Sequence, residues 1–157
     1  MTTTEKPVFD PAIKFVHSTV EDMKFNPGRR SWIRYRDLGI KEASNGGMNI
    51  EIMHIDDAIG SKPTGWHYHT APMQFNYIIE GWVKFEFADR GVVIVKAGES
   101  ILIPGGMVHQ ELCSSEPMKL LEVFVPAAYE TVRVATPASA IENAAEYGEV
   151  EPARAVG

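Results

Sequence analysis

The chain has 157 residues, 45% of them hydrophobic and 23% charged, which is the size and balance of one globular domain. A net charge of −6 disfavours nucleic acid or an anionic membrane surface as a partner. A single cysteine, Cys113, excludes an intrachain disulfide. The opening "MTTTEKPVFD" lacks the basic and apolar regions of a secretory signal, and no apolar run of about 18 residues is available to span a bilayer. A cytoplasmic protein is expected.

Residues 1–30 read as an irregular arm over a core, punctuated by Pro7, Pro11, Pro27 and Gly28. Arg29, Arg30, Arg34 and Arg36 form the nearest thing to a basic patch and read as a solvated face. From 31 to 126 the chain is almost all strand-like. "SWIRYRDL", "MNIEIMHI", "QFNYII", "WVKFEF", "GVVIVK", "SILIP", "VHQELC" and "KLLEVFVP" are short, rich in β-branched and aromatic residues, and separated by turn formers. Such a series predicts a sandwich or barrel. "EGW" at 80–82 and "DRG" at 89–91 are predicted hairpin turns, making consecutive strands antiparallel. After Pro126 the segment "ASAIENAAEYGEV" predicts one short helix, with Ser139 as its cap. Three regions follow: an arm (1–30), a barrel (31–126) and a C-terminal extension (127–157).

The histidines carry the chemistry. His17 falls in the arm and reads as a surface residue, while His54 ends a strand and faces either way. His67 and His69, in "WHYHTAPMQ", are one residue apart, so on a strand both imidazoles point to the same side. Gln74 follows five residues after His69. His109 closes "GESILIPGGMVH", where a strand ends in a Pro-Gly-Gly turn and restarts. By parity with Gln74, Asn76 and Ile78 face inward and Phe75, Tyr77 and Ile79 outward. Trp66, Tyr68, Met73 and Phe75 crowd the histidine pair; they read as packing between sheets or at a dimer contact, or else Trp66 or Met73 lines an apolar mouth.

From His67 to Gly81, and again from Gly98 through Pro104 and Gly106 to His109, the spacings resemble the two motifs of the cupin superfamily, with 16 residues between them. The likeness spans roughly residues 60–113 in motif and 32–126 in strand pattern. It implies an all-β, double-stranded β-helix (a jelly-roll barrel). It also implies a divalent metal held in the barrel mouth by three histidines and one carboxylate. Carried onto this sequence, the implied ligands are His67, His69, Gln74 and His109. Three positions depart from the pattern: the leading glycine falls at Gly60, one residue further out; Cys113 stands for the usual asparagine; and Gln74 stands for the usual glutamate.

A glutamine oxygen can coordinate but carries no charge. A neutral ligand set leaves the ion's full charge on the complex, so binding is expected to be weaker and Lewis acidity higher. A nitrogen–oxygen set suits Fe, Ni, Mn, Cu or Zn. An amide also cannot act as a base. Glu111, two residues after His109 and on the same side of a continuing strand, is the candidate catalytic base, unless it lies at the wet rim of the barrel. Cys113 continues that face as a small buried hydrophobe. The resemblance implies a small-molecule substrate and, first, a metal-dependent dioxygenase-type enzyme acting on an enol, diketone or aromatic compound. A sugar or uronate isomerase or ring-opening enzyme stays open, with Arg34 or Arg36 meeting the substrate carboxylate. So does a non-catalytic binding or sensing protein. A homodimer is expected through a sheet face carrying Trp32, Tyr35, Phe75 and Tyr77.

Overall fold

A computed structural model describes residues 9–28, 31–55 and 63–140. Its strands are β1 (Lys24–Pro27), β2 (Ile33–Asp37), β3 (Asn49–Ile55), β4 (His67–His69), β5 (Met73–Glu80), β6 (Trp82–Phe87), β7 (Gly91–Lys96), β8 (Ser100–Pro104), β9 (His109–Ser114), β10 (Met118–Val125) and β11 (Thr131–Arg133). One helical turn, α1 (Ile40–Ala43), joins β2 to β3. The strands form two sheets, ordered β1-β2-β3-β10-β5-β8 and β11-β4-β9-β6-β7. Every pairing is antiparallel. This is the jelly-roll arrangement that the resemblance implied.

Alternation explains which side of each strand is buried. In "MQFNYIIE" the residues Gln74, Asn76 and Ile78 are buried, while Tyr77 and Ile79 are exposed, as parity predicts. In "WVKFEF" the buried positions are Val83, Phe85 and Phe87. These side chains meet Ile55, Val95, Ile103, Met118 and Leu120 between the two sheets. Removing a Phe or Leu side chain from water contributes about 1.5–3 kcal/mol, so this apolar floor fixes the register of the polar residues further along the same strands.

One of the two predicted hairpins is real. "DRG" joins β6 to β7, with Phe87 opposite Gly91. "EGW" is instead a corner between sheets, since β5 pairs with β10 and β8 whereas β6 pairs with β7 and β9. Gly81 makes the corner at φ 79°. A Cβ there would run into Ser115 Oγ and the Pro117 carbonyl. Ser115 closes the corner by accepting from the Trp82 N–H at 2.8 Å.

Strands β1 and β11 lie outside the 31–126 span, and β11 pairs with the histidine strand β4. Residues 9–23 are irregular, and His17 is exposed. Residues 138–140 are helical, so Ser139 stands inside the first turn rather than capping it; the rest of the predicted helix, and Gly60, lie outside the described residues. Among the described residues no helix is long and apolar enough to cross a membrane.

Candidate metal centre

Strand β4 is three residues long, and its alternation turns His67 and His69 inward, both nearly fully buried. β9 begins opposite it, with His67 paired to His109. The Pro-Gly-Gly turn makes that pairing possible. The Gly106 N–H donates to the His69 carbonyl at 3.0 Å and the Gly105 N–H to the Pro72 carbonyl at 2.9 Å. Gly105 passes so close to the Ala71 carbonyl that a side chain would not fit. The turn therefore stitches the start of β9 onto the end of β4.

The three imidazoles converge. Ring centroids are 5.0 Å apart for His67 and His69, 4.6 Å for His67 and His109, and 5.5 Å for His69 and His109. One ligating atom from each lies within 4.8 Å of the others. His67 Nδ1 donates to the Gly65 carbonyl at 2.7 Å and His109 Nδ1 to the Met107 carbonyl at 2.8 Å, the same two-residue step back in each case. A carbonyl only accepts, so in the neutral ring both protons sit on Nδ1 and both Nε2 atoms present lone pairs. His69 Nδ1 is 3.0 Å from the Thr131 hydroxyl, which serves the same tautomer. The Nε2 atoms of all three rings are buried.

Gln74 enters from the facing sheet and is 2% exposed. Its Nε2 donates to Glu122 Oε1 at 3.1 Å, and its Oε1 is buried without a hydrogen bond. The residues fit a divalent ion. Three ring nitrogens with their opposite atoms committed, and one uncommitted amide oxygen, form a nitrogen–oxygen donor set.

Cross-strand register identifies neighbours that the sequence reading overlooked. Glu122 lies opposite Asn76 on one side and Glu51 on the other, and Glu51 lies opposite Asp37. Asn76 is 2% exposed, so this row faces the barrel interior. The Asn76 Oδ1 is buried without a hydrogen bond. Burial pushes the Glu51 carboxyl above its usual range and the charge of Asp37 adds to this, against the pull of an Asn49 hydrogen bond and of Lys41. Glu122 was legible in "KLLEVFV", where it shares parity with the buried Leu120 and Phe124. Tyr129 was missed too. It stacks on Phe124 at 3.8 Å and meets the His69 ring edge-on at 5.4 Å. Phe124 and Phe87 also pack on His69 and His109, at 5.1 and 5.6 Å. These rings, rather than Met73, stand against the imidazoles. Tyr68 alternates away from the imidazoles, and Met73 is exposed on the opposite side of β5 from Gln74.

Glu111 is on the same side of β9 as His109, because its partner Phe85 and the partner of His109, Phe87, both point inward. Its carboxylate accepts the Thr64 hydroxyl, and its own N–H donates to that oxygen at 3.0 Å. Cys113 does not continue this face. A bulge at Leu112 pairs Lys84 with Cys113 and Phe85 with Glu111, which turns the thiol to the Lys84 side. Partial burial pushes that thiol's pKa up, and Lys84 pulls it partly back.

Other predicted candidates lie elsewhere. Arg34 pairs with His54 and Arg36 with Ile52, on the outer face of β2 and β3, since Ile33 and Met53 pack on the core from the inner face. Arg34 sits 4.4 Å above the Phe25 ring, and His54 meets that ring edge-on at 5.2 Å. Neither arginine nor His54 lines the histidine cluster. Trp32 packs against the core, and Tyr35 shares the inner side of β2 with Ile33, so neither belongs to an exposed sheet face; Tyr77 does.

A family model described as "Cupin domain" matches residues 53–124, the span from β3 to β10 that contains all four predicted ligands. The chain thus carries a cupin domain over these residues. It is 30% identical over 67 residues to the uncharacterized protein YdbB of Bacillus subtilis (strain 168), a match that covers 40% of this cupin and 59% of YdbB. Among solved structures, the polyketide cyclase RemF from Streptomyces resistomycificus aligns with a TM-score of 0.60 at 22% identity, covering 83% of this chain and 91% of RemF. The nucleoside dehydratase Pac13 aligns at 0.54 and 15%, covering 78% and 95%. Hydroxypropylphosphonic acid epoxidase from S. wedmorenis aligns at 0.57 and 11%, covering 70% and 59%. At these identities the likeness speaks for the cupin barrel.

Proposed function

We propose that this cupin is a metal-dependent enzyme of the dioxygenase type, acting on an enol, a diketone or a hydroxylated aromatic compound. The observation that carries the reading is the convergence of three buried imidazoles with their Nδ1 atoms held by hydrogen bonds. His67, His69 and His109 through Nε2, and Gln74 through Oε1, would hold one divalent transition ion, Fe, Ni, Mn, Cu or Zn. Such an ion supplies Lewis acidity toward substrate oxygens. The protein's own groups do the rest. Phe124, Tyr129 and Phe87 give the site an apolar wall that excludes water and suits a planar substrate. Asn76 Oδ1 and the Glu51 and Glu122 carboxylates are acceptors for substrate hydroxyls. Glu111, steadied by Thr64, is the proton acceptor that an amide ligand cannot be.

The acceptor-lined interior disfavours the uronate alternative. A substrate carboxylate would meet Asp37, Glu51 and Glu122, while Arg34 and Arg36 face the other way. A second reading keeps the same substrates and dispenses with oxygen. RemF is a polyketide cyclase and Pac13 a nucleoside dehydratase, and Glu111 would serve such proton chemistry equally well. Oxygen uptake by metal-loaded protein against a panel of enols, diketones and catechols separates the two. Turnover with oxygen consumed supports the first, and turnover without it the second. Binding with no turnover would return the protein to the non-catalytic reading. We infer also a cytoplasmic homodimer with no nucleic-acid or membrane partner, paired through the outer face of β5 and β8, where Tyr77, Ile79 and Leu102 are exposed. Sedimentation of a Tyr77→Lys, Leu102→Lys variant as a monomer would support that pairing.

A further inference from the structure

The geometry points to Glu122 as a positioning residue for Gln74, one that turns the amide oxygen, rather than the amide nitrogen, toward the three histidines. The inference rests on the metal-site reading above. A glutamine side chain is almost symmetric in shape, and its two ends differ only in chemistry. Beside three imidazole lone pairs, the stable orientation of an unassisted amide is the reverse one. Its NH2 would donate to a ring Nε2, occupying the place of an ion and pointing the oxygen away.

Glu122 removes that choice. β10 runs antiparallel to β5 with Phe124 opposite Gln74 and Glu122 opposite Asn76, so Glu122 is the diagonal neighbour of Gln74 on the inner face. Its Oε1 accepts from Gln74 Nε2 at 3.1 Å. An ionised carboxylate only accepts, so it pairs with the NH2 and never with the carbonyl. Gln74 is 2% exposed, which leaves little water to compete for that NH2. The cost of the arrangement is visible in the same side chain, where Oε1 is buried without a hydrogen bond. A buried acceptor left unmet is unfavourable, and an ion at the histidine cluster relieves it. The carboxylate also polarises the amide and strengthens its oxygen as a donor. The negative charge that glutamate would bring into direct contact with the ion is thus held one hydrogen bond further back.

The test is Zn(II) and Co(II) titration of the full chain by calorimetry, with the visible spectrum of the Co(II) form as a second readout. Glu122→Leu removes the acceptor and is expected to weaken binding by about 10–100-fold and to alter the Co(II) spectrum. Glu122→Gln keeps an acceptor oxygen at that place and is expected to recover most of the loss. Should Glu122→Leu fold poorly, the exchange Gln74→Glu with Glu122→Gln reverses the direction of the same hydrogen bond and should bind at least as tightly as the wild type. Wild-type affinity and spectrum in Glu122→Leu would overturn the proposal. So would an exchange variant as impaired as Glu122→Leu. Failure of the metal-site reading itself looks different, since there the wild-type protein takes up neither ion.

Discussion

Replacing Gly81 with alanine separates a corner from a hairpin. Two costs are expected. A non-glycine residue at φ 79° adopts the left-handed region at about 1–2 kcal/mol. The added Cβ also meets the Pro117 carbonyl at 2.6 Å and Ser115 Oγ closer still. The serine hydroxyl can swing away, but the Pro117 carbonyl is backbone, so overpacking adds about 1–3 kcal/mol. The sum is about 2–5 kcal/mol, or a fall in melting temperature of roughly 4–20 °C for a domain of this size. Gly98→Ala is the control: φ is 86° and nothing lies within 4 Å, so only the backbone cost remains, roughly 2–8 °C. Thermal melts of metal-free protein by circular dichroism give both numbers. A Gly81→Ala drop no larger than that of Gly98→Ala would refute the close approach at the corner.

Glu51→Gln tests the interior acidic row. The folded carboxyl titrates above its usual 4.5, so the folded state resists ionisation and loses stability as pH rises through and above that value. The variant should melt higher than wild type near neutral pH, with the advantage vanishing below 4.5; an advantage independent of pH would contradict the sign. Cys113 should react slowly with a disulfide reagent at neutral pH, because burial holds its thiol protonated; reaction as fast as a free thiol's would place it in open solvent. Gln74→Glu should tighten metal binding by adding a charge to the donor set, and unchanged affinity would mean that Gln74 is not a ligand.

The legible parts of the site were those set by local spacing. A one-residue gap puts two side chains on one face of any strand, so the shared face of His67 and His69 and the inward parity of Asn76 needed no tertiary information, while His109 joined them through the resemblance to the cupin motifs. What the reading missed depends on pairing. Glu122 becomes a neighbour of Gln74 only once the register of β10 on β5 is known. The bulge at Leu112 reverses the face of Cys113 without any glycine or proline to announce it. Tyr129 reaches His69 because β11 returns to pair with β4, far from both in sequence. "EGW" has the composition of a hairpin, and only the competition of β8 and β10 for β5 makes it a corner.

The most direct measurement is metal content, taken on protein purified without added metal and then titrated with Fe(II), Ni(II), Mn(II), Cu(II) and Zn(II), beside a variant with His67, His69 and His109 all replaced by alanine. About one divalent ion per wild-type chain is expected, and none held by the variant. A wild-type protein that neither carries nor takes up an ion, or a variant that binds as well as wild type, would contradict it.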